Sequence, residues 1–216
     1  MNQTTSRRSI TGLLAAATLA VAALAGCRGA ARDPAPNVAP APATAAPAAT
    51  AAARQYTGDD VQFVQHMMAH HAQARVMTAL VATRTTRDDL RMLAGRIDVS
   101  QDDELTMMRR WLERRGEAVP APDAHREHAD HQMMPGMLTR AELERLAAAS
   151  GAEFDRLFLE YMIRHHEGAL VMVRELFASS GGGQEPELFS LASDIDADQR
   201  AEIARMRRVL ESLGGS

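Results

Sequence analysis

The strongest constraint on this chain is that it repeats itself. Phe63, the pair His70-His71 and Met77 recur 95 positions later, in identical register, as Phe158, His165-His166 and Met172. Downstream the match resumes with a small change in length. Leu90, Leu93, Ala94 and Ile97 correspond to Leu188, Leu191, Ala192 and Ile195, and Gln101, Glu104 and Met108 correspond to Gln199, Glu202 and Met206. The apolar residues recur at three- and four-residue spacing, which is helical, and no segment shows sustained strand alternation. Each half is therefore predicted to be a pair of helices carrying the same polar residues at the same places.

Local signals agree. Thr57 and Thr86 stand three residues before Asp60 and Asp89, a variant of the capping box. Gly116 and Gly214 suit helix ends, Pro186 suits a first turn, and Gly181 to Gly183 break the chain before it. Two hairpins of long helices give an all-α four-helix bundle, with a short extra helix expected from Thr139 to Ala149.

The first quarter of the 216 residues reads differently. Arg7 and Arg8 precede an apolar run that closes on Leu24-Ala25-Gly26-Cys27. This resembles the lipobox of bacterial lipoproteins, in which the cysteine is lipidated, so residues 1–27 are expected to be an export signal and Cys27 the lipidation site. The arginine pair also looks like part of a twin-arginine signal. Residues 28–55, dominated by Ala and Pro, read as a disordered tether. The folded part is then 56–216, with repeat halves 57–115 and 150–214 and a His/Met-rich linker at 120–138. The chain is expected to face the periplasm or cell exterior, anchored to a membrane.

Cys27 is the only cysteine, so no thiolate cluster forms within one chain, and metal chemistry would rest on His, Met, Asp and Glu. The net charge is −4, and all 24 cations are arginine without a basic block, which argues against a nucleic-acid partner. Metal ions, a membrane and a second copy of the chain remain as partners.

Helical spacing puts His66, His70 and Met77 on one stripe, with Met67 and His71 beside it. Tyr161, His165 and Met172 repeat the stripe, with Met162 and His166 adjacent. The second helices bring Glu104 with Met108 and Glu202 with Met206 to positions where the pattern calls for apolar residues. A carboxylate there is costly to bury unless it is paired or metal-bound. Imidazole and thioether together, without thiolate, favour copper and Cu(I) in particular, with other transition metals as alternatives. Met67, Met92, Met107 and Met162 read instead as core filler. A further cluster, His125, His128, His131, Met133, Met134 and Met137, has the composition of a metal-binding segment, and Pro135-Gly136 points to a flexible loop there.

On these motifs the chain resembles the bacterial family DUF305. The resemblance rests on Met-Ile-x-His-His-x-x-Ala-x-x-Met at Met162 to Met172, on its looser copy at Met67 to Met77, and on Leu-Ala-x-x-Ile-x-x-x-Gln-x-x-Glu after each. It covers about residues 57–213 and implies a ferritin-like bundle, frequent export and copper handling. The function expected is an extracytoplasmic copper sequestration or tolerance protein without catalysis. Two other functions compete. A ferritin-like di-metal oxidase would need Glu-x-x-His pairs, and the sequence has none. A structural or interaction lipoprotein would leave the histidines incidental.

Overall fold

A computed structural model describes residues 55–121 and 134–214. The expected export signal, lipidation site and tether (up to residue 54), together with His125, His128, His131 and Met133, lie outside those residues.

Five helices form, and the described residues contain no strand: α1 (Gly58–Arg84), α2 (Asp88–Arg115), α3 (Arg140–Ala148), α4 (Gly151–Ala178) and α5 (Pro186–Gly214). Helix α1 starts where Thr57 and Asp60 form a complete capping box. Thr139 and Glu142 form another at the start of α3. The expected cap at Thr86 is not used. The N-cap of α2 is Arg87, whose N–H donates to Thr85 Oγ1 and whose guanidinium holds Asp89, so Thr86 is bypassed. Gly116 ends α2 in the left-handed conformation that glycine adopts without strain.

Helices α1 and α2 form one hairpin, α4 and α5 the other, and the bundle closes through α1 against α4 and α2 against α5. Two buried contacts lock the closure. Asp60, besides capping α1, accepts the N–H of Gly183 at 2.7 Å. Trp111 near the end of α2 donates its indole N–H to Glu185 at 3.0 Å, just ahead of α5, with the Arg115 guanidinium over its ring.

The apolar core is split in two. One lobe contains Phe63, Met67, Met108, Met172, Leu188, Leu191 and Ile195. The other contains their repeat partners Phe158, Met162, Met206, Met77, Leu90, Leu93 and Ile97. The sequence repeat is thus a pseudo-two-fold axis that exchanges the lobes. Between them lies a layer of polar side chains that the repeat places at mid-helix, and that layer is where chemistry is possible. No helix among the described residues is long and apolar enough to cross a membrane.

Candidate metal centre

His70, His71, His165 and His166 are fully buried, with Gln101, Glu104, Gln199 and Glu202 nearly so. The rings of His70 and His165 lie face to face, 3.8 Å between centroids and 35° apart, joining α1 to α4. On the other side each repeat forms a dyad with its second helix. His71 Nε2 is 2.5 Å from Glu104 Oε2, and His166 Nε2 is 2.7 Å from Glu202 Oε2. A carboxylate buried against an imidazole offsets its desolvation and fixes the ring. The two glutamates at apolar positions are therefore occupied by histidines.

The layer leaves donors over. Nδ1 of His70, His71 and His166, both ring nitrogens of His165, Oε1 of Glu104 and both amide atoms of Gln199 are buried without a hydrogen-bond partner. Buried polar atoms are rarely left so, and a group of them calls for water or an ion. Among the described residues, however, no three His, Cys, Asp or Glu side chains converge on a point that could hold a metal. The donor set fits a soft or borderline cation in kind, and binding one would require side chains other than the hydrogen-bonded His70 to turn toward it.

Burial pushes the pKa of His70 down to about 3, with the neighbouring charges of His71 and His166 adding to it and the bond to Pro135 opposing it. Burial also lowers His165 well below the ordinary range, with His70, His166 and His71 contributing. The main chain of His70 opposes that shift weakly, at a geometry short of a hydrogen bond. Both imidazoles are neutral near pH 7, as metal ligands must be. A lowered folded pKa means that the unfolded chain takes up protons first as pH falls below about 6.5. The stability from this pair is complete above that pH and is lost on acidification, in the case of His70 down to about pH 3. Asp198, raised by burial beside Glu104 and Glu202, acts in the opposite sense, but it is largely exposed. Urea denaturation of the metal-free protein should show stability falling from pH 6.5 to 4.5, by up to about 1.4 kcal/mol per pH unit for each histidine. Equal stability at both pH values would contradict the neutral pair.

The other expected ligands are placed elsewhere. Met77 and Met206 are fully buried in one lobe, and Met108 and Met172 are buried in the other. His66 lines a cleft of about 300 Å³ on the α1/α4 face with Asp59, Gln62, Met172 and Glu175. Met67 and Met162 are core, as expected, whereas Met92 and Met107 are exposed. Met134 and Met137 are buried in the lobe of Phe63. They flank a turn closed by Met137 N–H on Met134 O, with Gly136 at φ 77, so residues 134–138 are a fixed turn and not the flexible loop expected.

The sequence profile of DUF305, a domain of unknown function, matches residues 60–210. The chain belongs to the DUF305 family. A DUF305 fragment from Deinococcus radiodurans is 35% identical, with a TM-score of 0.63 over 73% of this chain and 98% of that one. A DUF305 protein from Streptomyces coelicolor, put forward as secreted, is 27% identical with a TM-score of 0.61, over 73% and 96%. CopM in its Cu(II)-bound form is 29% identical with a TM-score of 0.58, over 71% and 96%. CopM has also been solved with Cu(I), at 28% identity, TM-score 0.55 and the same coverage. No curated protein matches the sequence. The repeat that exchanges the lobes of this DUF305 chain places its His-His motifs together at the bundle's centre.

Proposed function

We propose that this DUF305 chain is an exported copper-binding protein that sequesters copper outside the cytoplasm and catalyses no reaction. The observation that carries the reading is the buried layer of four histidines with five unpartnered ring nitrogens. The likeness to CopM, solved with Cu(I), Cu(II) and Ag, supports copper as the cargo. His70, His71, His165 and His166 would supply the principal donors, Cu(I) being favoured by soft and borderline ligands. Glu104 and Glu202 would orient His71 and His166. Of the methionines, Met77, Met108, Met172 and Met206 would line the lobes above and below the ion, and His66 with Met172 would form an accessible outer position. The segment His125, His128, His131 and Met133 would collect ions before they enter. Export is in line with the Streptomyces relative put forward as secreted, and lipidation at Cys27 would keep the exported chain at the membrane surface.

The dyads weigh against a di-metal oxidase, because both mid-helix glutamates are already held by histidines and could not bridge two ions without releasing them. The role is tested in cells of the source organism. Deleting the chain should sensitise them to added copper. Re-expressing the natural chain should restore tolerance, and re-expressing a variant with the four buried histidines replaced by leucine should not. Equal tolerance with and without the chain would contradict sequestration.

A further inference from the structure

The two repeats differ at several positions, and one of the differences lies two residues after the histidine pair. Position 73 in the first repeat corresponds to 168 in the second, and the two residues are Gln73 and Gly168. Gln73 is fully buried and bonds the main chain of Leu138 twice. Its Nε2 donates to Leu138 O at 3.0 Å, and its Oε1 accepts Leu138 N–H at 2.7 Å. Gly168 gives the same segment room on α4. A Cβ there would lie 1.9 Å from Pro135 O, and one on Gly136 would lie 2.4 Å from Arg164 O. Residues 134–138 are thus strapped across α1 and α4 at the level of the histidines.

The strap has a chemical consequence. Pro135 O lies 3.0 Å from His70 Nε2. A carbonyl has no proton to give, so Nε2 carries the proton and donates it, and the lone pair of the neutral ring sits on Nδ1. That Nδ1 is buried and unpartnered. His165, the repeat partner, has no hydrogen bond on either nitrogen. One ring of the stacked pair is therefore fixed in tautomer and orientation, and the other can adapt. Metal-bound histidines characteristically donate the second ring N–H to a carbonyl or carboxylate, and that outer bond tunes affinity.

We infer that the strap Met134 to Leu138 is a positioning element for a soft cation, with Gln73 as the positioning residue. Gln73 holds Pro135 O on the Nε2 proton of His70, so that Nδ1 is the ligand nitrogen, and Gly168 provides the clearance. The inference rests on the copper reading above. It also assigns a role to residues outside the His-His motif, which act through His70.

The test uses the full chain with 15N-labelled histidine rings, read by long-range nitrogen–proton NMR without metal and then by Cu(I) competition. In the natural chain His70 should show protonated Nε2 and bare Nδ1. Gln73→Met, which keeps volume but loses both bonds, should mix the His70 tautomers and weaken Cu(I) binding by about 10–100-fold. Gly168→Ala, which pushes the strap from the other side, should do the same, so the result does not depend on one variant folding well. Protonated Nδ1 on His70 in the natural chain would overturn the inference and leave the copper reading standing. Unchanged Cu(I) affinity despite mixed tautomers in Gln73→Met would overturn it as well. If the natural chain shows the expected tautomer but binds no Cu(I), the copper reading fails, and the positioning role fails with it.

Discussion

Replacing Glu202 with leucine should destabilise the metal-free bundle by about 3 kcal/mol, and adding His166→Leu should restore most of that loss. Glu202 is almost fully buried and its Oε2 lies 2.7 Å from His166 Nε2. Removing the carboxylate alone strands a buried imidazole nitrogen, which then bears the full desolvation penalty. Removing both partners leaves an apolar layer continuous with the two lobes. Breaking a buried pair costs far more than replacing it. The same cycle at His71 and Glu104, 2.5 Å apart, should give the same sign. Urea denaturation of the two single variants and the double variant measures this directly. Single-variant losses that simply add, within about 0.5 kcal/mol, would show that the dyad is not coupled.

The architecture was legible because the repeat is an arrangement of faces. Phe63 with Phe158 and Leu90 with Leu188 carry helical period and register, and two equal hairpins can bury such faces only against each other. The histidine pairs were legible for the same reason, and they meet at the centre. Height along the bundle was harder to read. His70 and Met77 share a stripe, yet seven residues of helix rise about 10.5 Å, a full layer of side chains. Met77 therefore packs in a lobe while His70 faces His165. Face periodicity does not report that separation. Glu104 and Glu202 were visible as misplaced carboxylates, but their partners, one helix away, were not.

The strap left its only trace as mismatches between the repeats. Those mismatches are Gln73 against Gly168 and Ala69 against Arg164. In the fold, Gln73 grips Leu138, Gly168 admits Pro135, and Arg164 pairs with Glu142 at the start of α3. Ala69 is buried in a lobe, where an arginine would be stranded. A non-repeated segment crossing a repeated core requires that the repeats differ where it crosses, and these three contacts are where it does.

The larger effect expected is on copper. Replacing His70, His71, His165 and His166 together with leucine removes every unpartnered ring nitrogen of the layer while keeping it filled. Loss of the ligands themselves should exceed the 10–100-fold cost typical of outer partners, so Cu(I) affinity should fall by more than about 100-fold. Because the loss of His71 and His166 would strand Glu104 and Glu202, the variant also carries Glu104→Gln and Glu202→Gln, and helicity should then persist. The measurement is a Cu(I) titration of residues 28–216 against a competing chelator, natural chain beside the four-leucine variant, with circular dichroism on both. Tight binding by the natural chain, lost in a variant that is still helical, is the predicted result. Equal Cu(I) affinity in the two proteins would place the ion outside the histidine layer and contradict the account.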